Sequence, residues 1–234
     1  IRKFPTEIEI GLIKNRNSEN AALFYLGREI NLKEVKTFFY RRPVVPTAGS
    51  IDNRLVEEYI VHESILFLEA LPQFMDNFWV SNPDAVRASS RKPYQLLMAA
   101  RLGFSVPLSA IGNSPKIVFD FLSSFGEGEF AVKAVGKSFV RSDNEGKEHV
   151  FFTQKLKRSE ILGNLERVKN CPLIFQEYIE KDFELRVTVV GNKAFACAIY
   201  SQKTERTKID WRHYDIPNTP HEVFILPEEV EGKC

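Results

Sequence analysis

Short apolar–polar alternations open the chain. Ile8, Ile10 and Leu12 recur at every second position, the period of a strand with one buried face. Residues 22–26 repeat the pattern before a Gly27-Arg28 turn. Asn31 is placed to cap a short helix, residues 38–40 read as a strand, and Pro43 and Pro46 then stop regular structure. From 53 to 71 the period lengthens to that of a helix. Leu55, Val56, Tyr59, Ile60, Ile65, Leu66 and Leu68 form its apolar stripe, with Asp52 or Asn53 as the N-cap. Residues 78–80 make a short strand before the Ser81-Asn82-Pro83 break. Pro93 suits a first helical turn whose buried face is Leu96, Leu97, Ala100 and Leu102, and Gly103 suits the position just past its end.

Residues 106–109 read as the next strand, and Asn113-Ser114-Pro115 opens a helix to about Ser124. Beyond it the pattern is rich in strands. Residues 130–135 and 149–153 are two of them, Ser159 caps a helix reaching Lys169, and residues 173–177 form a third. Residues 183–190 and 193–202, joined by Gly191-Asn192, spell an antiparallel hairpin. No internal repeat or low-complexity tract interrupts the series. The class is α+β with an α/β front portion.

Composition narrows the setting more than the chemistry. The 234 residues are 44% hydrophobic and 27% charged, ordinary for a soluble globular chain, with a formal net charge of +1. No global field therefore favours nucleic acid or an anionic membrane, and any anion site must come from local Lys and Arg placement. No apolar run is long enough to span a bilayer. Three scattered cysteines, Cys171, Cys197 and Cys234, predict a reducing compartment, the cytoplasm, without a disulfide framework. Cys171 and Cys197 stand in apolar contexts and read as packing residues. The chain starts at Ile1 without Met and ends at Cys234 after a Glu-rich stretch, so both ends read as cut.

Four segments carry candidate chemistry. Lys133 lies inside an apolar strand, where alternation sets it opposite Phe130 and Val132, so its ammonium needs an anion or water. Lys92 stands just before Pro93 at a helix start, where the macrodipole already favours anions. In Gln176-Glu177-Tyr178-Ile179 an apolar strand breaks, freeing backbone donors and acceptors suited to an adenine edge. Glu184 could then accept from ribose hydroxyls, and Arg186 could hold phosphates. The segment Lys208-Ile209-Asp210-Trp211-Arg212-His213-Tyr214-Asp215 mixes charge and aromatic surface, as contact surfaces do. Singly, each has a plain alternative: an edge-strand lysine, a solvated lysine, a salt-bridged hairpin, a surface loop with one packing Trp.

In order, these segments resemble the ATP-grasp superfamily, and within it the maturases of microviridins and related graspetides. The matching pieces include Phe39-Tyr40-Arg41-Arg42-Pro43, Arg91-Lys92-Pro93-Tyr94, Gln176-Glu177-Tyr178-Ile179, Glu184-Leu185-Arg186-Val187 and Lys208-Ile209-Asp210-Trp211-Arg212. The resemblance implies an ATP-grasp fold: a pre-ATP-grasp-like domain and linker helix over 1–110, a central subdomain over 111–175 and the start of a C-terminal one over 176–234. It implies that Lys92 and Lys133 contact nucleotide phosphates, that Gln176, Glu177, Tyr178 and Ile179 bind adenine, and that Glu184 binds ribose. Arg186 and Arg212 take the catalytic places, facing phosphate or acyl-phosphate. Lys208, Asp210 and Trp211 become candidates for leader-peptide contact. A glycine-bearing phosphate loop would lie between Gly136 and Gly146.

The implied reaction consumes ATP with Mg2+. It activates Asp or Glu side chains of a ribosomal precursor peptide and closes ester or amide cross-links. The metal ligands of such enzymes, an acid and a Glu-x-Asn element, have no match in this sequence and are expected in a C-terminal segment beyond it. No nucleic acid or membrane partner is implied, and a homodimer is compatible. Two alternatives share the nucleotide residues: a ligase adding amino acids to a protein or small acid, like the ribosomal-protein glutamate ligases, and a non-catalytic nucleotide- or peptide-binding module.

Overall fold

The computed structural model describes residues 3–41, 43–136, 139–141 and 148–234. By compactness the chain divides into residues 1–89 and 90–234.

In the first unit, β1 (Glu9–Lys14), β2 (Glu19–Tyr25) and β3 (Arg28–Asn31) form an antiparallel sheet in the order β1-β2-β3. The β2–β3 turn uses two residues of positive φ, Leu26 and Gly27, as a two-residue hairpin requires. No helix follows Asn31. Its carboxamide instead accepts from the Lys33 N–H at 3.1 Å, a turn that competes with helix formation. The parallel pair β4 (Thr37–Phe39) and β5 (Phe78–Val80) flanks α1 (Arg54–Phe74), which Asn53 caps by accepting from Leu55 and Val56 N–H. The core gathers Ala21, Leu23, Leu32, Leu71 and Met75, and Phe38 stacks on Trp79. The apolar stripe expected along α1 is largely outside it. Leu55, Tyr59 and Leu66 are exposed, and burial concentrates in the second half of the helix. The Ser81-Asn82-Pro83 break is itself a helix start. Asn82 accepts from Asp84 and Ala85 N–H, and α2 spans Pro83–Ser89.

The second unit opens with α3 (Lys92–Arg101). Gly103 follows its end with φ +78°, as expected, but none of its residues is fully buried, and Leu97, Ala100 and Leu102 are exposed. Next come β6 (Ser109–Gly112), α4 (Pro115–Ser123, capped by Ser114), β7 (Glu129–Ala134), the antiparallel ribbon β8 (Phe139–Arg141) and β9 (Glu148–Val150), β10 (Gln154–Lys157) and α5 (Arg158–Leu162). A 3₁₀ segment, Leu165–Asn170, leads to β11 (Leu173–Glu177). The antiparallel order β10-β7-β11-β6 builds a four-stranded sheet. Two strands sit a few residues from their expected places. The one expected at 106–109 begins at Ser109, so a boundary at 110/111 falls inside β6. The one expected at 149–153 ends at Val150, and Thr153 leads into β10. Ser159 does not cap α5. The helix begins directly from β10, and Glu160 accepts from the Lys157 N–H at 2.7 Å.

Directly opposed residues of an antiparallel pair share a face. Phe130, Val132 and Phe175 therefore pack with Ala110, Val118, Leu122, Ile161 and Val168 on one side. The same register puts Lys133 opposite Ile174, and Gln176 opposite both Ala131 and Ser109, on the other side. The hairpin β12 (Glu184–Val190) and β13 (Lys193–Ile199) gains an unforeseen third strand, β14 (His221–Phe224), before the short α6 (Glu228–Lys233). Cys171 is exposed and Cys197 half-buried, so neither is the buried packing residue expected. Among the described residues no helix is long and apolar enough to cross a membrane.

Candidate nucleotide site

The face of the four-stranded sheet turned away from its helices lines a crevice of about 580 Å³ within the second unit. Its walls include Lys92, Lys133, Gln176, Glu177, Tyr178 and Ile179. Glu184, Arg186, Asp210, Trp211 and Arg212 are also on them. Every residue singled out for nucleotide or catalysis is thus in one place. Lys208 is not on the wall; it pairs with Glu205. The loop expected between Gly136 and Gly146 lies mostly outside the described residues.

Two lysines dominate the electrostatics. Lys133 is held in position by the strand ladder of β7 and β11, which fixes its direction into the crevice. Burial, then the neighbouring charges of Lys92 and Arg212, lowers its pKa. Lys92, from the first turn of α3, reaches the carbonyls at the end of β7. It donates to Ala134 O and, at 3.3 Å, to Gly136 O. Its pKa is also lowered, by burial first and then by Arg212. Among the described residues neither lysine, nor Arg186, has a carboxylate within 4.0 Å. Cations crowded without counter-ions favour a polyanion.

The other two charged pairs at the site are compensated. Lys181, which sequence reasoning missed, meets Glu184 Oε1 at 2.7 Å and donates to Ile209 O at 3.2 Å. Ser201, fully buried, donates to the same Glu184 oxygen at 2.9 Å. A lysine three positions before an acid was a readable charge pair, but nothing local revealed that it faces a pocket. Asp210, 4% exposed, grips Arg212 in a fork: Oδ1 with Nε at 2.7 Å and Oδ2 with Nη2 at 2.5 Å. Burial alone would raise the Asp210 carboxyl. The hydrogen bonds from Arg212 and from two backbone N–H groups outweigh it and hold the group well below the usual carboxylate range. The bond to Asp210 raises Arg212 in turn.

At the other end the β11 ladder stops. Glu177 N–H donates to Leu108 O at 3.1 Å and Tyr178 N–H to Glu129 O at 3.2 Å, while Glu177 Oε1 accepts from the Leu108 N–H. Ladder pairing ends at Glu177 and Glu129 O takes the Tyr178 N–H, so the peptide groups beyond the sheet begin at the Tyr178 carbonyl. Lys155, paired with Glu129 at 2.5 Å, covers the Tyr178 ring at 4.2 Å. Gln176, 2% exposed, turns its carboxamide to Ser109 Oγ at 2.7 Å, so its side chain supports the bend.

No protein-family model and no curated protein matches the sequence. Solved structures do. The mixed sheet-and-helix architecture, with its cationic crevice, is the ATP-grasp fold of ATP-dependent ligases. More particularly, the chain is similar to macrocyclase MdnC from Microcystis aeruginosa MRC, bound with precursor peptide MdnA. The two are 26% identical at a TM-score of 0.81, over 99% of this chain and 70% of that one. It is equally similar to a RiPP-associated ATP-grasp ligase of Chryseobacterium gregarium in complex with ADP and a leader and core peptide. There the figures are 26% identity and TM-score 0.81, over 98% of this chain and 68% of that one. Its fold is shared by the ATP-grasp ligase PsnB, complexed with a precursor variant, Mg and ADP, at 22% identity and TM-score 0.68, over 99% and 69% of the chains.

Proposed function

We propose that this chain binds ATP in the crevice and is the nucleotide-holding part of a ligase that cross-links a ribosomally made peptide. The carrying observation is the convergence of Lys92, Lys133 and Arg186, without carboxylate partners among the described residues, on the wall that ends in the Tyr178–Ile179 bend. A triphosphate satisfies the cations, and a base satisfies the peptide groups of the bend. Both known contacts of Glu184 use Oε1, which keeps Oε2 as the acceptor for a ribose hydroxyl. The likeness to MdnC and to the C. gregarium enzyme supports a precursor peptide as the partner.

In this reading a side-chain carboxylate of the peptide becomes an acyl phosphate. A hydroxyl or amine of the same peptide then displaces phosphate and closes an ester or amide. Such chemistry asks the protein mainly to position reactants and neutralise charge, which Lys92, Lys133, Arg186 and Arg212 are placed to do. Mg2+ accompanies the nucleotide. Among the described residues no three His, Cys, Asp or Glu side chains cluster as a metal site, so no step is assigned through the ion. Lys208 and Trp211 remain candidates for peptide contact.

The reading is checked by mass spectrometry of a partner peptide incubated with the protein, ATP and Mg2+. Loss of one water per ring with ADP release is expected. A peptide that gains amino acids instead would replace cyclisation with addition.

A further inference from the structure

Asp210 belongs to the crevice, yet its carboxylate is spent inside the protein. Oδ1 accepts from Arg212 N–H at 3.1 Å and Arg212 Nε at 2.7 Å. Oδ2 accepts from Arg212 Nη2 at 2.5 Å and from the Thr153 N–H at 3.1 Å. Four donors on a buried carboxylate leave little capacity for a peptide ligand. Two of the four belong to backbone far apart in sequence. Thr153 follows the β8–β9 ribbon, and Arg212 sits in the 3₁₀ turn Trp211–His213. A second contact crosses the same gap: the Phe152 and His213 rings stack with centroids 3.6 Å apart at 27°.

We propose that Asp210 is a positioning residue that ties the guanidinium of Arg212 to the Thr153 backbone of the crevice wall, so that the arginine meets the phosphates in a fixed pose. The proposal rests on the nucleotide reading above. Its logic is that charge and geometry point in opposite directions. A carboxylate in a crevice walled by Lys92, Lys133, Lys181, Arg186 and Arg212 lowers the local positive potential, so by charge alone its removal should strengthen polyphosphate binding. If it holds the arginine fork in place, removal should weaken binding despite the added positive charge, because a guanidinium binds phosphate best in a fixed bidentate geometry.

Asp210→Asn separates the two. It keeps size and one acceptor while losing the charge, and thermal unfolding reports whether the variant is folded. ATP affinity by calorimetry is expected to fall about tenfold in Asp210→Asn. The double variant with Arg212→Ala should be no weaker than Arg212→Ala alone, since both changes break one coupled unit. Unchanged or tighter ATP binding in Asp210→Asn, or fully additive losses, would overturn the proposal. Amide exchange of the ligand-free protein supplies the second readout. The Thr153 and Arg212 amides should lose protection in Asp210→Asn, and retained protection also overturns it. If the unaltered protein bound no ATP, the nucleotide reading would fall, while the amide exchange would still decide whether Asp210 joins Thr153 to the turn.

Discussion

A lysine set in an apolar strand loses hydration, and at Lys133 burial, with Lys92 and Arg212 nearby, outweighs the opposing pull of the Asp210 carboxylate. Its folded pKa lies below 10.5, so the unfolded chain holds the proton more tightly. Below the folded pKa the charged lysine costs stability, and stability rises as pH climbs from there towards 10.5. Lys133→Met should therefore raise the unfolding temperature at neutral pH and remove that alkaline slope, while weakening ATP binding by roughly 1.5–3 kcal/mol. Paired thermal scans and calorimetry check it. A variant that loses stability and keeps ATP would make Lys133 a structural residue. That Lys133 points away from Phe130 and Val132 was legible from strict alternation. The sequence assigns Asp210 and Arg212, two positions apart, to separate roles, and their pairing shows only in the fold. The bond of Asp210 to Thr153, 57 positions away and through a backbone N–H, left no trace in side-chain identity.

Elements were legible where local chemistry and period agreed. Gly191-Asn192 between two alternating runs specified the β12–β13 hairpin, and Asn53 and Ser114 marked helix starts that the caps confirm. Elements were missed where the tertiary setting decides. β14 is four residues long with only Val223 and Phe224 apolar, and β10 reads Gln-Lys-Leu-Lys with Leu156 alone packing on the core. α2 was hidden because Asn82-Pro83 serves a helix start as well as a break. Caps also give an element-scale control. Asn53→Ala removes two acceptor contacts at the start of α1 and should cost about 1 kcal/mol in urea unfolding. ATP affinity should not change, because α1 lies in the first unit and the crevice in the second. A fall in ATP affinity would show that the nucleotide site depends on that helix.

At the scale of the molecule, an antiparallel sheet serves two masters. One face packs against α4, α5 and the 3₁₀ segment, and the other carries Lys133, Ile174 and Gln176 into a crevice closed by residues of the 184–212 region. Because the pattern has a period of two, the residues that build the core also fix which residues face the crevice. The sequence order of the cations and the bend was readable, and so was the fold they imply. The compensation of Lys181 by Glu184 and of Arg212 by Asp210, which leaves Lys92, Lys133 and Arg186 as the crevice cations without a carboxylate within 4.0 Å among the described residues, needed the folded chain. The most direct test is a crystal structure of the protein soaked with a non-hydrolysable ATP analogue. The phosphates are expected within hydrogen-bonding distance of Lys92 and Lys133, with the base against Tyr178 and Ile179. A nucleotide bound elsewhere, or a crevice left empty at saturating analogue, would contradict the account.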